Sequence, residues 1–360
     1  MENIAHTFFG LTLAKAGLER STPMATATLL ISSNLPDIDV LTRILGDQFS
    51  GLEHHRGITH SFVGLVPLSA LLALSAISFD RLWRLRRDPS AKPANSIKLF
   101  LLAYLGGLGH ILLDWTNSYG VRPLLPFSGR WFYGDLIFIA DPWIWLILGF
   151  ALVCLTARGP LKISLWIAIG MLQSLVVALA FRPMAARLIW FMGLALVIAG
   201  AIKARKSARL ARWSLALLFA YYAGVWAVRD AVRQRTFGSL PSAEVYSVAL
   251  LPNPANPFSW KAVAAAPGSI FVGEVVLSPA TSKTQIQWHR MDQLDPALAE
   301  ALRRSRPGRI FLDFARYVTA TVEKGGGQYR ILLKDVRLTL RMEVSLNQDL
   351  SVASAQMRWF

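Results

Sequence analysis

Five of the six histidines in this chain, and a set of aspartates, fall at the ends of apolar runs. Ionisable side chains are costly there and suggest function by default. His6 opens the first apolar segment, and Asp37 and Asp39 (NLPDIDVL) close the second. His54, His55 and His60 (HHRGITHS) precede the third, and His110 and Asp114 (GHILLDW) end the fourth. Asp135 and Asp141 (GDLIFIADPW) precede the fifth. Followed back and forth across a membrane, all of these residues lie at one face. His110 and Asp114 are i and i+4, so one helix presents both on one side, a single turn apart. Asp37 and Asp39, at i and i+2 after Pro36, suit an extended turn whose carboxylates bridge neighbouring ions. Imidazole and carboxylate without thiolate suit Zn²⁺, with Mn²⁺ or Fe²⁺ as alternatives. Such a centre lowers the pKa of bound water to about 7 and takes up charge on a phosphoryl or acyl oxygen, which is hydrolase chemistry.

Each residue also has a plainer reading. His6 is a polar helix end, Asp37 and Asp39 are turn formers, and His54 and His55 belong to an interfacial loop. Asp135 caps a helix, and Asp141 before Pro142 is an N-cap followed by proline at the first helical position. Their gathering at one face is what caps do not explain, and a site for two or more divalent ions is the expectation. Arg56 and Gly57 make a basic turn whose guanidinium suits a substrate phosphate or, equally, anchors an interface. Thr59 and Ser61 either support ligands or cap the next helix, while Tyr119 and Arg122 border the site. Trp131, Trp143 and Trp145 read as an aromatic belt. His289 and the single cysteine, Cys154, read as surface or packing residues, and one thiol leaves no disulfide within the chain.

The elements that must position this set are membrane helices. The 360 residues are 54% hydrophobic and 17% charged, below the roughly 25% charged of a soluble domain. Uncharged runs at 62–79, 99–113, 143–157, 163–181, 188–202 and 213–228 predict six transmembrane helices. The segments 4–18 and 23–41 form a helical hairpin, spanning or re-entrant. No cleavable signal peptide is evident, so the helices direct insertion themselves. The net charge of +16 is not a nucleic-acid signature, because most cations of the first 228 residues lie between apolar runs. Arg81, Arg84, Arg86, Arg87, Lys92 and Lys98 fill one connection, and Lys203, Arg205, Lys206, Arg209 and Arg212 another. With Arg158 and Lys162 they mark the cytoplasmic side, against Arg122, Arg130, Arg182 and Arg187 opposite. Arg229, Arg233 and Arg235 run counter to this pattern. With six spans, the ionisable face and the C-terminus both lie outside.

After Phe237 prolines break the chain, and strand patterns appear at 243–251, 270–278, 284–290, 328–336, 337–346 and 350–359, with one helix near 295–305 and a hairpin turn at Gly325, Gly326 and Gly327. The fold expected is thus an all-α polytopic membrane domain, six or more transmembrane helices plus the hairpin, followed by a small, mostly β soluble domain. Its parts are a metal-site domain (1–157), additional transmembrane helices (158–236) and the β domain (237–360).

The motifs AHTFFG, NLPDIDVL, HHRGITHS, GHILLDWTNSYGVRPLLPF and GDLIFIADPW, taken in this order, resemble those of the YdjM-like bacterial inner-membrane proteins, regarded as metal-dependent hydrolases. The likeness is close over residues 1–150 and implies an inner-membrane location. It also implies a distant likeness to the zinc-dependent phospholipase C and nuclease fold, an all-helical scaffold. By that resemblance His6, Asp37, Asp39, His54 or His55, His60, His110 and Asp114 are metal ligands. Asp37, Asp39, Arg56 and Asp114 are then the residues expected to act in catalysis. The function expected is a membrane-embedded metallohydrolase whose partners are membrane lipids and whose substrate is a lipid or other phosphoester. A non-catalytic, metal-held scaffold is the alternative. An ion-coupled transporter fits less well, because the later spans lack the acids a pathway across the membrane needs.

Overall fold

The computed structural model describes residues 1–180, 184–203, 207–277, 286–325, 328–338 and 340–358. Arg182, Arg205, Lys206, Gly326 and Gly327, the start of the strand expected at 284–290, and positions 278, 339 and 359 of other expected strands lie outside the described residues. Contacts divide the chain into two units: Met1–Ile38 with Arg56–Trp226 and Pro254–Asn256, and Asp39–His55 with Ala227–Asn253 and Pro257–Phe360.

The first unit is helical. α1 (Asn3–Lys15) and α2 (Ala25–Ser32) form the N-terminal hairpin, and a 3-10 turn (Leu35–Asp39) starts beyond them. In the second unit α3 (Val40–Leu45) and α4 (Ser50–His54) follow, and the first resumes with α5 (Leu65–Phe79), a π turn (Asp80–Arg84) and α6 (Leu85–Arg87). Next come α7 (Ser96–Trp115), α8 (Pro142–Thr156), α9 (Pro160–Ala180), α10 (Met184–Lys203) and α11 (Ala208–Phe237), whose last turns belong to the second unit. Among the described residues five helices are long and apolar enough to cross a membrane: Leu65–Arg87, Ser96–Trp115, Pro160–Ala180, Met184–Ile202 and Ala208–Phe237. The sixth expected span, α8, has 15 residues and is about 22 Å long, against a hydrocarbon core about 30 Å thick. By the same measure α1 and α2 are too short to cross.

α7 is the central helix. Half of its apolar window is buried, against 11% for α9 and 17% for α10 and α11, which leave their apolar surface open as lipid-facing helices do. Three glycines let neighbours close on α7. A Cβ would lie 2.0 Å from Ser32 Oγ at Gly106, 2.7 Å from Leu65 Cδ2 at Gly107 and 2.3 Å from Phe9 Cε1 at Gly109. α2, α5 and α1 therefore approach one stretch of α7, immediately before His110.

The second unit holds two four-stranded antiparallel sheets. One runs β1 (Ser247–Pro252), β2 (Ser259–Ala266), β3 (Ser269–Val276), β4 (His289–Asp292); the other β5 (Val318–Gly325), β6 (Gln328–Asp335), β7 (Arg341–Asn347), β8 (Val352–Arg358). Between them lie α12 (Pro296–Arg303) and α13 (Arg306–Phe314). β2, β5 and α13 are additions to the expected elements. Three alanines close the SWKAVAAA run of β2 and mask its strand character, yet it pairs along its whole length with β3. Pro307 and Gly308 read as breakers in α13, but the proline stands in the first turn, where its missing N–H costs nothing, and Ser305 caps the helix through Gly308 N. Cys154 is buried, and His289 is exposed at the start of β4.

Candidate metal centre

Four chain ends converge in the first unit. α1 carries His6 in its first turn, the 3-10 turn after α2 carries Asp37, the turn Ile58–His60 brings in His60, and the last turns of α7 supply His110 and Asp114. His6, His60, His110 and Asp114 are at most 1% exposed, and Asp37 is 18% exposed at its side chain.

The distances are those of a coordination shell. His60 Nε2 lies 3.2 Å from His110 Nε2, 3.4 Å from Asp37 Oδ1 and 3.5 Å from Asp114 Oδ2. His110 Nε2 lies 3.5 Å from Asp37 Oδ1 and 3.4 Å from Asp114 Oδ2. One ligand atom from each of these four residues falls within 4.8 Å of every other. Ligands about 2.1 Å from a tetrahedral Zn²⁺ are separated by roughly 3.4 Å along each edge, so five of the six edges already have the required length.

Local partners aim the donors. The Ser33 carbonyl accepts from His110 Nδ1 at 2.9 Å, which leaves the Nε2 lone pair for an ion. Thr59 Oγ1 stands 3.1 Å from His60 Nδ1. His6 stacks on His110 with ring centroids 3.7 Å apart, and its Nε2 is 3.5 Å from Asp114 Oδ1. Among the described residues neither ring nitrogen of His6 has a hydrogen-bond partner, although both are buried. An orphaned buried imidazole is costly, and a cation in the cluster would satisfy it. The donor set therefore fits a divalent transition metal. The amino group of Met1 also pairs with Asp114.

Burial would push the Asp37 carboxyl up, but hydrogen bonds from His110 and His60 outweigh it and hold the group below the usual carboxylate range. Asp37 thus stays ionised and ready to ligate. Asp37 and Asp39 sit in a 3-10 turn rather than the extended turn expected. Pro36, whose φ suits either conformation, does not oppose it. At about three residues per turn, i and i+2 point to different sides. Asp37 faces His60 and His110, while Asp39, in the second unit, is 3.1 Å from His55 Nδ1. His54 is 56% exposed, beside Glu53. α4 ends at His54 and the backbone turns extended at His55, which separates the directions of the two imidazoles.

Arg56 is only 3% exposed and does not offer its guanidinium to a phosphate as expected. Its Nη2 donates to Asp114 Oδ1 at 2.8 Å, and its Nη1 to Gly120 O at 2.8 Å and Asn117 Oδ1 at 3.2 Å. Tyr119 lies under it, 4.5 Å from the guanidinium carbon to the ring centroid, and Arg122 Nε donates to Arg56 O at 3.4 Å. Arg56 has φ +54°, a conformation L-residues adopt at a cost of about 1–2 kcal/mol. The inward contacts of the guanidinium accompany this backbone conformation. Asn117, not singled out in the sequence, joins Arg56 to the Tyr119 amide through one oxygen; its place three residues after Asp114 was the available signal. Ser33, acting through its backbone carbonyl, gave none.

Asp135 and Asp141 stand outside the cluster. Asp141 caps α8 through Trp143 N (2.9 Å) and Ile144 N (3.4 Å) and accepts from Tyr221 Oη at 2.8 Å. Burial pushes its carboxyl up to about 6 against those hydrogen bonds. Ser61 takes its structural role, accepting from Gly64 N at 2.9 Å at the start of α5.

A model of the YdjM inner membrane protein family matches residues 1–186, a stretch that includes all five cluster residues. The chain is also similar to the uncharacterized protein YfhP of Bacillus subtilis (strain 168), at 27% identity over 117 residues. That alignment spans 32% of each chain, so only about a third of the relative's length is matched. No solved structure matches.

Proposed function

The chain belongs to the YdjM inner membrane protein family, and from that premise we propose that it is a membrane-embedded metal-dependent hydrolase acting on a phosphoester, lipid or lipid-linked, at the periplasmic face. The observation that carries the reading is the buried set of two imidazole nitrogens and two carboxylate oxygens, five of whose separations fall between 3.2 and 3.5 Å. Asp37, Asp114, His60 and His110 would hold the ion, with His6 as a fifth donor and the Asp39–His55 pair as donors to a second. A divalent ion bound there supplies Lewis acidity and activates water at neutral pH. Zn²⁺ suits these donors best. Arg56 keeps the Asp114 carboxylate in place. Asp37, the most exposed of the four, marks the side from which substrate reaches the centre. The periplasmic assignment rests on the cations between the spans and requires α8 to cross with Arg158 snorkelling at its end.

The test is hydrolysis by purified protein of a generic phosphodiester and of a phospholipid in mixed micelles, with and without chelator. The reading expects a chelator-sensitive activity that Asp37→Ala abolishes. A second reading, a metal-held scaffold without catalysis, is favoured by the near-complete burial of three of the four ligands, since structural sites are closed and catalytic ones keep an open position. A metal-replete preparation that hydrolyses neither substrate would give the scaffold first place.

A further inference from the structure

Residues 39–55 carry Asp39, His54 and His55, yet they cluster with the C-terminal domain and not with the helices that precede and follow them. Two side-chain devices fasten them there. Arg306, at the start of α13, donates from Nη1 to Asp47 Oδ2 at 2.5 Å and from Nη2 and Nε to Glu53 Oε2 at 2.6 and 3.2 Å. It also reaches Ser50 Oγ at 3.3 Å. Asp47 holds the turn that leads into α4, because its Oδ1 accepts from Phe49 N, Ser50 N and Ser50 Oγ at 3.0, 2.8 and 2.8 Å. One guanidinium therefore grips both ends of a five-residue helix. The second device is Gln48, whose amide pairs with the outer edge of β8. Its Nε2 donates to Ala355 O at 3.4 Å, and its Oε1 accepts from Met357 N at 3.3 Å. α4 is too short to be stable alone, so its position is set by these ties and by the burial of Phe49 and Leu52. Directly beyond α4, His55 meets Asp39.

We propose that Arg306 is a positioning residue: by clamping Asp47 and Glu53 it fixes α4, and with it the Asp39–His55 pair, so that the C-terminal domain sets how tightly that pair holds a metal ion. This rests on the reading of Asp39 and His55 as metal donors. Arg306 also holds the Asp47 carboxyl below the usual carboxylate range, first through its side-chain hydrogen bond. Asp47 is solvent-exposed and Glu53 partly so, and concentrated salt weakens the clamp.

The experiment uses the full-length protein in detergent, with Zn²⁺ as the probe. Three chains are compared: wild type, Arg306→Glu, and the charge swap Arg306→Glu with Glu53→Arg. Zn²⁺ affinity is read by competition with a chromophoric chelator, and amide hydrogen exchange is followed over residues 39–55. Arg306→Glu should speed exchange in that segment and weaken Zn²⁺ binding by about three- to tenfold, and the swap, which rebuilds the pair with position 53 but leaves Asp47 facing a carboxylate, should restore both in part. Unchanged affinity in Arg306→Glu, whether or not exchange rises, overturns the proposal while leaving the metal centre standing. A wild type that binds no Zn²⁺ overturns the metal reading itself.

Discussion

Replacing Arg56 with Met removes the charge that faces Asp114 and keeps most of the apolar stem over Tyr119. The structure fixes what is lost: a buried ion pair at 2.8 Å and hydrogen bonds to Gly120 O and Asn117 Oδ1. Breaking one side of a buried pair costs about 3–5 kcal/mol, because the other charge stays buried. With a metal bound, Asp114 keeps a cation, and the loss falls toward that of the remaining bonds, about 1 kcal/mol for each of those to Gly120 O and Asn117 Oδ1. Arg56→Met should therefore destabilise the metal-stripped protein by roughly 1–3 kcal/mol more than the metal-loaded one. The assay is thermal unfolding in detergent, in chelator and in excess Zn²⁺, where each kcal/mol corresponds to about 2–4 °C for a domain of this size. If Arg56→Met unfolds within about 1 °C of wild type in chelator, the guanidinium is not what holds Asp114, and the account of the turn at 56–57 fails.

Three other outcomes are expected. Asp141 has a folded pKa of about 6 against an unfolded value near 3.9, so its contribution to stability is full below about pH 4 and lost as pH rises through about 6. Asp141→Asn, which still caps α8, should remove a slope on the order of 2–3 kcal/mol from the difference between variant and wild-type melts across that window; coincident slopes would count against burial as the cause. Gly106→Val drives a side chain into Ser32 Oγ and should separate α7 from α2, weakening Zn²⁺ binding together with stability, whereas normal affinity would show that the helix contact does not place His110. Cysteines at Arg87 and Ser207 should resist an impermeant thiol reagent in intact cells while one at Ser354 reacts. Labelling at Arg87 reverses the map and moves the site to the cytoplasm.

The sequence made the helices legible because their uncharged runs reach within a few residues of the observed ends, as at 99–113 for α7. Length was the harder quantity, and α8 shows why: a run bounded by Asp141 and Arg158 reads as a span, yet its cap and C-terminal turn leave 15 helical residues. The cluster was legible through residue types at alternating chain ends, which is how His6, Asp37, His60, His110 and Asp114 could be grouped before any geometry. What the types could not give is direction. Arg56 looks open to phosphate in sequence, yet in the fold it has a positive φ and its guanidinium pairs with Asp114. The contact of Arg306 with Glu53 joins residues 253 positions apart through exposed charges, a pairing that no local pattern encodes.

The central claim, that the buried His and Asp residues at the end of α7 are a metal centre, is tested most directly by elemental analysis of protein purified without chelator, beside the His110→Ala, Asp114→Ala double variant. The wild type should hold about one or more transition-metal ions per chain, and that metal should be lost in a double variant that still inserts in the membrane. A wild-type preparation that holds well under one ion per chain, and takes up none when offered Zn²⁺, would contradict it.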